Sequence, residues 1–331
     1  MKKDFARYKK GSLLFAPLEG VTDEPYRMAI QKIFPEWDYY STDFYRIPTV
    51  GKLSAKAFIE HFGVNQYQDE KIKSKTAFQI LTSARAQNEA AAEILNDLKF
   101  DHLDLNLGCP SHTVNSNGGG AYLLSNPQEM KKVVSIFREK FKKHFTVKIR
   151  VGYRDDTAFE ENLKILEDAG VEAITIHGRT RDQLYKGRAN WEYIKRAQEL
   201  VNLPIIGNGD VWNAEDIEQI FQETNCYAVM FGRPAMKTPW LAKIYKDYLN
   251  DGASIDETFL LYERKGYLQM YFETLEEELK KHGIREEVLL KKFKSFSLNL
   301  FDDYESSDIV RGKFLRSMTF KEFKDHLYSL K

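Results

Sequence analysis

Two short β-like runs follow one another in the middle of the chain, Phe145-Thr-Val-Lys-Ile-Arg150 and Ala173-Ile-Thr-Ile-His177, and a longer amphipathic stretch separates them. The same alternation of strand and helix extends along the chain in both directions. We count eight such runs before about Trp240. The other six are Leu13–Pro17, Tyr39–Asp43, Thr76–Leu81, Leu103–Asn106, Pro204–Asn208 and Tyr227–Gly232. Eight units of this length predict an α/β fold, a (β/α)8 TIM barrel. The alternative is a doubly wound open sheet, which the lack of a GxGxxG motif after the first run disfavours.

Most of these runs end in a polar or charged residue. Gln79, Asn106, Lys148, His177 and Asn208 all stand at or near such an end. In (β/α)8 barrels the active site gathers at the carboxyl ends of the strands. We therefore expect these side chains to belong to one site.

The part of the chain after Trp240 has a different character. Residues 241–331 contain no strand-like run, have helical periodicity, and are interrupted at Asp251-Gly252 and His282-Gly283. We predict a barrel domain over residues 1–240 and a small C-terminal helical bundle over 241–331. Lys291 and Lys292 lie on one predicted helix and form either a basic binding face or an ordinary solvated face. Residues 60–75 are predicted to be a polar elaboration before the third strand.

Composition excludes several classes of protein. Hydrophobic residues make up 43% of the 331, which is enough for a large core, and 49 basic residues balance 49 acidic ones. This neutral net charge argues against a protein that binds polyanions over its whole surface, but it does not exclude a local basic patch. Cys109 and Cys226 are far apart and lack metal-ligand spacing, so we expect no disulfide, no metal and a cytoplasmic location. Pro17 and Glu19 interrupt the first apolar run too early for a signal peptide, and no stretch reaches the length of a membrane span. We expect a monomer.

The segment Asn106–Ala121 follows the fourth run and carries the strongest functional signal. It contains Cys109 between a glycine and a proline, and the three consecutive glycines 118–120. So much backbone freedom is typical of a site where a flat ligand approaches the main chain. We therefore interpret the glycines as room for stacked rings.

Motifs along the whole barrel resemble those of the tRNA-dihydrouridine synthases, which are flavin enzymes that reduce particular uridines in tRNA. The general layout looks most similar to the bacterial C-type subgroup. Leu18 stands where the family usually has methionine, which is a volume-conserving change. The matching segments are Ala16–Asp23, Leu105–Pro110, Gly118–Ala121, Val147–Arg150, His177–Arg181, Asn208–Asp210, Gly232–Arg233 and Pro239–Trp240.

The resemblance implies FMN as cofactor and NADPH or NADH as reductant. The phosphate of FMN is expected beside the loops after the last two strands, where backbone N–H groups and an arginine could bind it. Lys148 is expected near the flavin N1 and O2, where a fixed ammonium favours reduction, unless it pairs with a neighbouring carboxylate. The residues expected to bind FMN are Ala16, Pro17, Leu18, Gln79, Lys148, His177, Asn208, Gly209, Asp210, Gly232 and Arg233.

Cys109 is expected to be the proton donor. Reduction of the uracil C5=C6 bond requires a hydride at C6 and a proton at C5. An ordinary thiol, with a pKa of about 8.5, is protonated at pH 7 and can act as this acid without adjustment. Asn106 is expected to hydrogen-bond the uracil or the flavin, or else to stabilise the turn.

A uridine in folded tRNA must be unstacked before it can enter a barrel. Contacts to phosphates must offset this cost, and we expect them from Arg179, Arg181, Lys291 and Lys292. Two other functions remain open at this stage. One is an FMN barrel that acts on a small molecule, such as an ene-reductase or a dihydroorotate dehydrogenase. The other is an RNA-binding module without catalytic activity.

Overall fold

The computed structural model describes residues 5–251, 257–298, 300 and 307–330. The chain divides into two compact units. One contains residues 1–23 and 38–231, and the other contains residues 24–37 and 232–331. Gly252, where the sequence predicts a break, lies outside the described residues.

The first unit is built on parallel strands that confirm the predicted barrel. The strands are β1 Ser12–Phe15, β2 Tyr40–Ser41, β3 Tyr45–Arg46, β4 Thr76–Leu81, β5 His102–Leu107, β6 His144–Arg150, β7 Ala173–His177, β8 Ile205–Asn208 and β9 Ala228–Phe231. Their order in the sheet is β1-β9-β8-β7-β6-β5-β4-β2. A parallel bridge between Leu14 and Tyr39 joins the two ends of this order and closes the ring. The additional strand β3 pairs with β4.

Helices connect the strands of this unit. The helix Pro127–Lys140, for example, is capped by Asn126, whose side chain accepts a hydrogen bond from the Glu129 amide, and it has proline in its first turn. Residues 60–75 contribute to three short helices, so the expected polar elaboration is largely helical. The helices are α2 Ala55–Phe62, α3 Val64–Gln68, α4 Glu70–Lys73, α5 Asn88–Asp97, α6 His112–Ser116, the 3₁₀ turn Gly120–Ser125, α7 Pro127–Lys140, α8 Phe159–Asp168, α9 Glu192–Leu200 and α10 Ala214–Thr224.

Alternation along the strands gives the barrel a polar interior at β5. His102, Asp104 and Asn106 share one face of this strand, while the leucines between them share the other. On the strands opposite, a cluster of Leu14, Ile206, Met230 and their neighbours fills the same interior together with Phe5 and Tyr8. The barrel core is thus apolar on one side and hydrogen-bonded on the other.

The second unit is helical and has its own aromatic core. Tyr26 of α1 packs edge-on to Tyr271 of α13, and Phe272, Phe293 and Phe323 form a cluster with ring centroids 5.0–5.5 Å apart. In the described part of the chain, no helix of either unit is long and apolar enough to cross a membrane. The helices of the second unit are α1 Glu24–Ile33, α11 Arg233–Lys237, α12 Leu241–Asp251, α13 Glu257–Lys281, α14 Glu286–Ser297, α15 Ser307–Arg316 and α16 Phe320–Tyr328.

Candidate active site

The loop that carries Cys109 is held by the side chain of Asn106. The Oδ1 atom of Asn106 accepts hydrogen bonds from the backbone N–H groups of Gly108 (3.0 Å) and Cys109 (2.9 Å). From the other side, Nδ2 of Asn115 donates to the carbonyl of Cys109 at 2.9 Å. The position of Cys109 is therefore fixed by two amide side chains, and Asn106 has the turn-stabilising role that the sequence left open.

Two of the three consecutive glycines of this loop, Gly119 and Gly120, have neighbouring protein atoms where a side chain would lie. A Cβ at Gly119 would lie 2.8 Å from the carbonyl oxygen of Thr82, and one at Gly120 would lie 3.2 Å from the Cβ of Cys109. Gly120 also has a positive φ of 57°. Their small size lets the loop pack against β4 and against Cys109. Close packing accounts for Gly119 and Gly120, while the expectation that the loop makes room for a uracil and a flavin stays a prediction.

The thiol of Cys109 is 7% exposed and packs with Leu81, Val114 and Phe44. Burial raises the pKa of this thiol above its ordinary value, and the charge of Glu19 acts in the same direction. A hydrogen bond from the Ser111 backbone opposes the rise in pKa. The thiol is consequently protonated at neutral pH, as an acid must be.

Gln79 and Asn106 are directly bonded to each other. Nδ2 of Asn106 donates to Oε1 of Gln79 at 2.9 Å, and Nε2 of Gln79 donates to Oδ2 of Asp104 at 2.7 Å. Gln79 is completely buried. The structure therefore joins two residues that the sequence predicts at the site directly, and Gln79 connects the pair to the carboxylate of Asp104, which the sequence analysis did not single out.

Lys148 lies beside Asn106 in the sheet register and points to the same face. Its Nζ donates to Oδ1 of Asn208 at 3.1 Å, and Nδ2 of Asn208 donates to the carbonyl of Met230 at 2.7 Å. Burial, together with the charge of Arg150, lowers the pKa of Lys148 to about 8. The charge of Asp104 acts in the opposite direction on the pKa of Lys148, but in the part of the chain that the structure describes Lys148 forms no salt bridge. The donor set thus suits an anionic ligand, as the resemblance implies for a flavin.

His177 and Asp210 are tied together by Arg179. The Arg179 guanidinium bonds Nε2 of His177 at 3.2 Å, the carboxylate of Asp210 and the carbonyl of Gly187 at 2.6 Å. It is only 2% exposed. Arg179 therefore stabilises its own loop, and we remove it from the residues expected to contact tRNA. Asp210 caps that loop by accepting from the amide of Ala189 at 2.7 Å.

Gly209 is required by a close approach within the barrel unit. Its φ is 116°, and a Cβ there would lie 2.8 Å from Cδ2 of His177 and 2.7 Å from Cβ of Ala189. In the helical unit, Gly232 directly follows β9 and is the N-cap of the short helix α11, whose first residue is Arg233.

The turn after β1 brings Ala16, Pro17 and Leu18 to the carboxyl end of that strand. The amide of Ala16 donates to the carbonyl of Phe231 at 2.8 Å, so the sheet pairing continues to this residue. The amide of Leu18 then donates to Oγ1 of Thr22 at 3.0 Å. Pro17 and Leu18 are only partly buried and can offer an apolar surface.

Of the other cationic candidates, Arg181 pairs with Asp182 at 2.8 Å and lies over the ring of Tyr153. Lys291 is exposed and Lys292 is partly buried on α14. Each of these three side chains reaches solvent, and their contact with tRNA stays a prediction.

Arg150 ends the fifth run of the sequence, which gave it no role at the site, and it is 2% exposed. Its Nε donates to the carbonyl of Gly108 at 2.9 Å, and its Nη1 donates to the carbonyls of Thr180 and Leu184, both at 2.9 Å. It thereby joins the Cys109 loop to the loop after β7, whose Tyr185 is 52% exposed. Its position at the end of β6, two residues after Lys148, was the available signal.

Within the described residues, no group of three or more His, Cys, Asp or Glu side chains is arranged to hold a metal ion.

Comparison with known proteins finds one family whose model matches most of the chain. The dihydrouridine synthase (Dus) family model matches residues 14–311. The tRNA-dihydrouridine(16) synthase of Neisseria meningitidis serogroup A is 30% identical over 269 residues, which are 80% of this chain and 79% of the relative. The tRNA-dihydrouridine synthase B of Vibrio parahaemolyticus is 30% identical over 250 residues, 75% of each chain. A solved complex of 2-naphthoyl-CoA reductase with 2-naphthoyl-CoA has a TM-score of 0.51 at 10% identity, and covers 74% of this chain and 50% of that chain. This last similarity concerns the fold alone.

Proposed function

Because this chain belongs to the dihydrouridine synthase family, we propose that it reduces the C5=C6 bond of uridines in tRNA, in the D-loop, with FMN as cofactor and NADPH or NADH as reductant. FMN, when bound, supplies the hydride that adds to C6 of the uracil. The relatives are named as enzymes of this kind and match most of the chain. The observation that carries the proposal in this protein is the buried thiol of Cys109 on a loop that two amide side chains hold in place.

Cys109 supplies the proton. Addition of hydride at C6 leaves enolate character between C5 and the C4 carbonyl. The thiol of Cys109 gives its proton to C5 and becomes a thiolate, which solvent later reprotonates. A raised pKa suits this order of events, because the acid must be neutral before the reaction.

Lys148 is the proposed partner of the anionic edge of the flavin. Its ammonium is held by the neutral amide of Asn208 and has its charge available for a ligand. Gln79 has hydrogen-bonding capacity left for the polar edge of the ring, since each of its amide atoms uses one bond within the protein. Apolar support is proposed for Ala16, Pro17 and Leu18, and phosphate binding for Gly209, Gly232 and Arg233. His177 and Asp210 are proposed to shape the same loops, as their bonds to Arg179 suggest.

Contact with tRNA is proposed for Arg181, Lys291 and Lys292. An inserted uridine costs a few kcal/mol of stacking, about what several phosphate contacts offset. Residues 1–240 would then hold the chemistry and residues 241–331 would contribute RNA binding, in a cytoplasmic monomer.

The test is to map dihydrouridine in tRNA from cells that lack this protein and in the same cells supplied with the wild-type protein or with Cys109→Ala. We expect one or more D-loop dihydrouridines to vanish without the protein and to return only with the wild type. Purified Cys109→Ala should remain yellow with FMN, because the thiol is not proposed to hold it. Unchanged dihydrouridine in the deleted cells would contradict the function, and full activity of Cys109→Ala would remove the thiol from the mechanism.

A further inference from the structure

A continuous chain of buried hydrogen bonds crosses the barrel interior and ends at the Cys109 loop. At its centre is the carboxylate of Asp104, which is 3% exposed. One arm runs from Asp104 to the amide of Gln79 (2.7 Å), to the amide of Asn106 (2.9 Å) and to the backbone N–H of Cys109 (2.9 Å).

The second arm runs in the opposite direction, towards the amino ends of the strands. Oγ1 of Thr146 lies 2.6 Å from Oδ1 of Asp104 and 2.8 Å from Nε2 of His102. Nδ1 of His102 lies 3.3 Å from the hydroxyl of Tyr8. All the side chains of this second arm are at most 5% exposed, so water does not substitute for their partners.

The first arm has only one consistent orientation. The N–H of Cys109 can only donate, so Asn106 must turn its oxygen to the loop and its NH₂ group to Gln79. Gln79 must then present oxygen to Asn106 and NH₂ to the next residue. That residue must be an acceptor, and the carboxylate of Asp104 is an acceptor on both of its oxygens.

The second arm follows from the same carboxylate. Because Asp104 accepts, the hydroxyl of Thr146 donates to it and has only lone pairs left for His102. His102 must therefore carry its proton on Nε2 and accept from Tyr8 at Nδ1. Burial lowers the pKa of His102 well below its ordinary value, which agrees with this neutral ring.

We infer that Asp104 is a positioning residue for the proton donor, because its carboxylate fixes the amide orientations of Gln79 and Asn106 and thereby the loop that carries Cys109. This inference rests on the proposed function for its catalytic meaning, while the ordering of the loop stands independently of it. Without the acceptor, the NH₂ group of Gln79 would be buried and unsatisfied. If the amide of Gln79 rotated, its NH₂ group would face that of Asn106, and a compensating rotation of Asn106 would break the bond to the N–H of Cys109.

Replacement of Asp104 by asparagine separates orientation from charge. The new amide can turn its oxygen to Gln79, which leaves the first arm intact, and its NH₂ group to Thr146. The hydroxyl of Thr146 would then donate to Nε2 of His102, and the imidazole proton would move to Nδ1. Asp104→Leu keeps the number and branching of the side-chain heavy atoms but has no acceptor, so it breaks the first arm.

The experiment uses the full chain as purified, and measures the alkylation rate of the Cys109 thiol by peptide mass spectrometry, with the fully buried Cys226 as an internal reference. We expect Asp104→Leu to raise this rate about tenfold, which is the effect of one lost buried hydrogen bond on loop opening. Asp104→Asn should stay within about twofold of wild type, while nitrogen NMR of labelled histidine shows the changed tautomer of His102. Tyr8→Phe is the matched control, since it removes a buried hydroxyl at the end of the second arm of hydrogen bonds. It should leave the alkylation rate of Cys109 unchanged.

A second variant keeps the inference testable if Asp104→Leu does not fold. Gln79→Met should also raise the alkylation rate of Cys109, and the double variant should show no further rise, because both changes break one arm. Independent, additive effects, or an unchanged rate in Gln79→Met, would overturn the inference. So would equal effects of Asp104→Asn and Asp104→Leu.

The same variants separate this inference from the proposed function. In single-turnover reduction of tRNA, Asp104→Leu should lower the rate while the flavin content and the KM for tRNA stay near the wild-type values. A wild-type protein that reduces no uridine would end the proposed function, and the alkylation result would still decide whether Asp104 orders the loop.

Discussion

Lys148→Met is expected to stabilise the flavin-free protein while it impairs the proposed function. The pKa of Lys148 is about 8, against 10.5 for a free lysine, because its charge is desolvated in the barrel. That difference corresponds to about 3 kcal/mol of cost for the charged form in the folded state. Loss of the bond from Nζ to Asn208 offsets about 1 kcal/mol of it. The free energy of unfolding at pH 7 should therefore rise by about 2 kcal/mol in the variant.

The dependence on pH gives this prediction its sign. Below pH 8 the lysine is protonated in both states, and the folded state bears the full cost. Between about 8 and 10.5 the folded protein loses the proton first, so the unfolded state binds more protons and wild-type stability rises with pH. Above 10.5 both states are neutral and the cost has gone. Lys148→Met lacks this rise, so its advantage should be largest near pH 7 and should shrink towards pH 10.

The assay is urea unfolding of flavin-free protein at several pH values, followed by fluorescence. Lys164→Met is the matched control, since Lys164 is an exposed lysine on α8, and it should change stability by less than about 0.5 kcal/mol. A variant less stable than wild type at pH 7, or an advantage that is the same at pH 7 and pH 10, would refute the reasoning about a desolvated charge.

Two further predictions concern the ligands. Lys148→Met should lower the midpoint potential of bound FMN, because the ammonium favours the reduced, more negative ring; an unchanged potential in spectroelectrochemical titration would refute the role of Lys148. Lys291→Glu with Lys292→Glu should weaken tRNA binding and reduce its dependence on salt, with flavin content unchanged. Binding curves at low and moderate salt that match the wild type would show that α14 does not contact the RNA.

The barrel was predictable because its signal is local and repeated. Each of the eight runs forms or overlaps a strand, since apolar, β-branched residues flanked by breakers are typical of buried parallel strands. The affiliation of α1 was not predictable. Tyr26 packs on Tyr271 of α13, and Phe34, directly after α1, packs on Tyr267. No pattern in residues 24–33 predicts a partner so distant in the sequence. A truncation after Trp240 would strip these contacts from α1, so charge reversal is the cleaner test of RNA binding.

The candidate site was predictable in its residues more than in its bonds. Strand ends identify Gln79, Asn106, Lys148 and Asn208, because the carboxyl ends of barrel strands meet. Asp104 could have been found from the alternation of His102, Asp104 and Asn106 on one face of β5, which is polar where most strand faces are apolar. The burial of Arg179 could not, because arginine after a strand is normally exposed and only the folded loop supplies its acceptors.

Lys148 and Asp104 carry opposite charges, and each is hydrogen-bonded to neutral side chains instead of to the other. Direct pairing of Lys148 with Asp104 would neutralise the ammonium and leave Gln79 without its acceptor. Instead Asn208 holds Lys148 through a neutral oxygen, while Gln79 and Thr146 hold Asp104. The barrel thus bears the cost of a partly buried cation, and the anion proposed to bind at Lys148 would recover part of that cost. The carboxylate in turn orders the loop of the neutral thiol, so each charge acts on a different part of the proposed reaction.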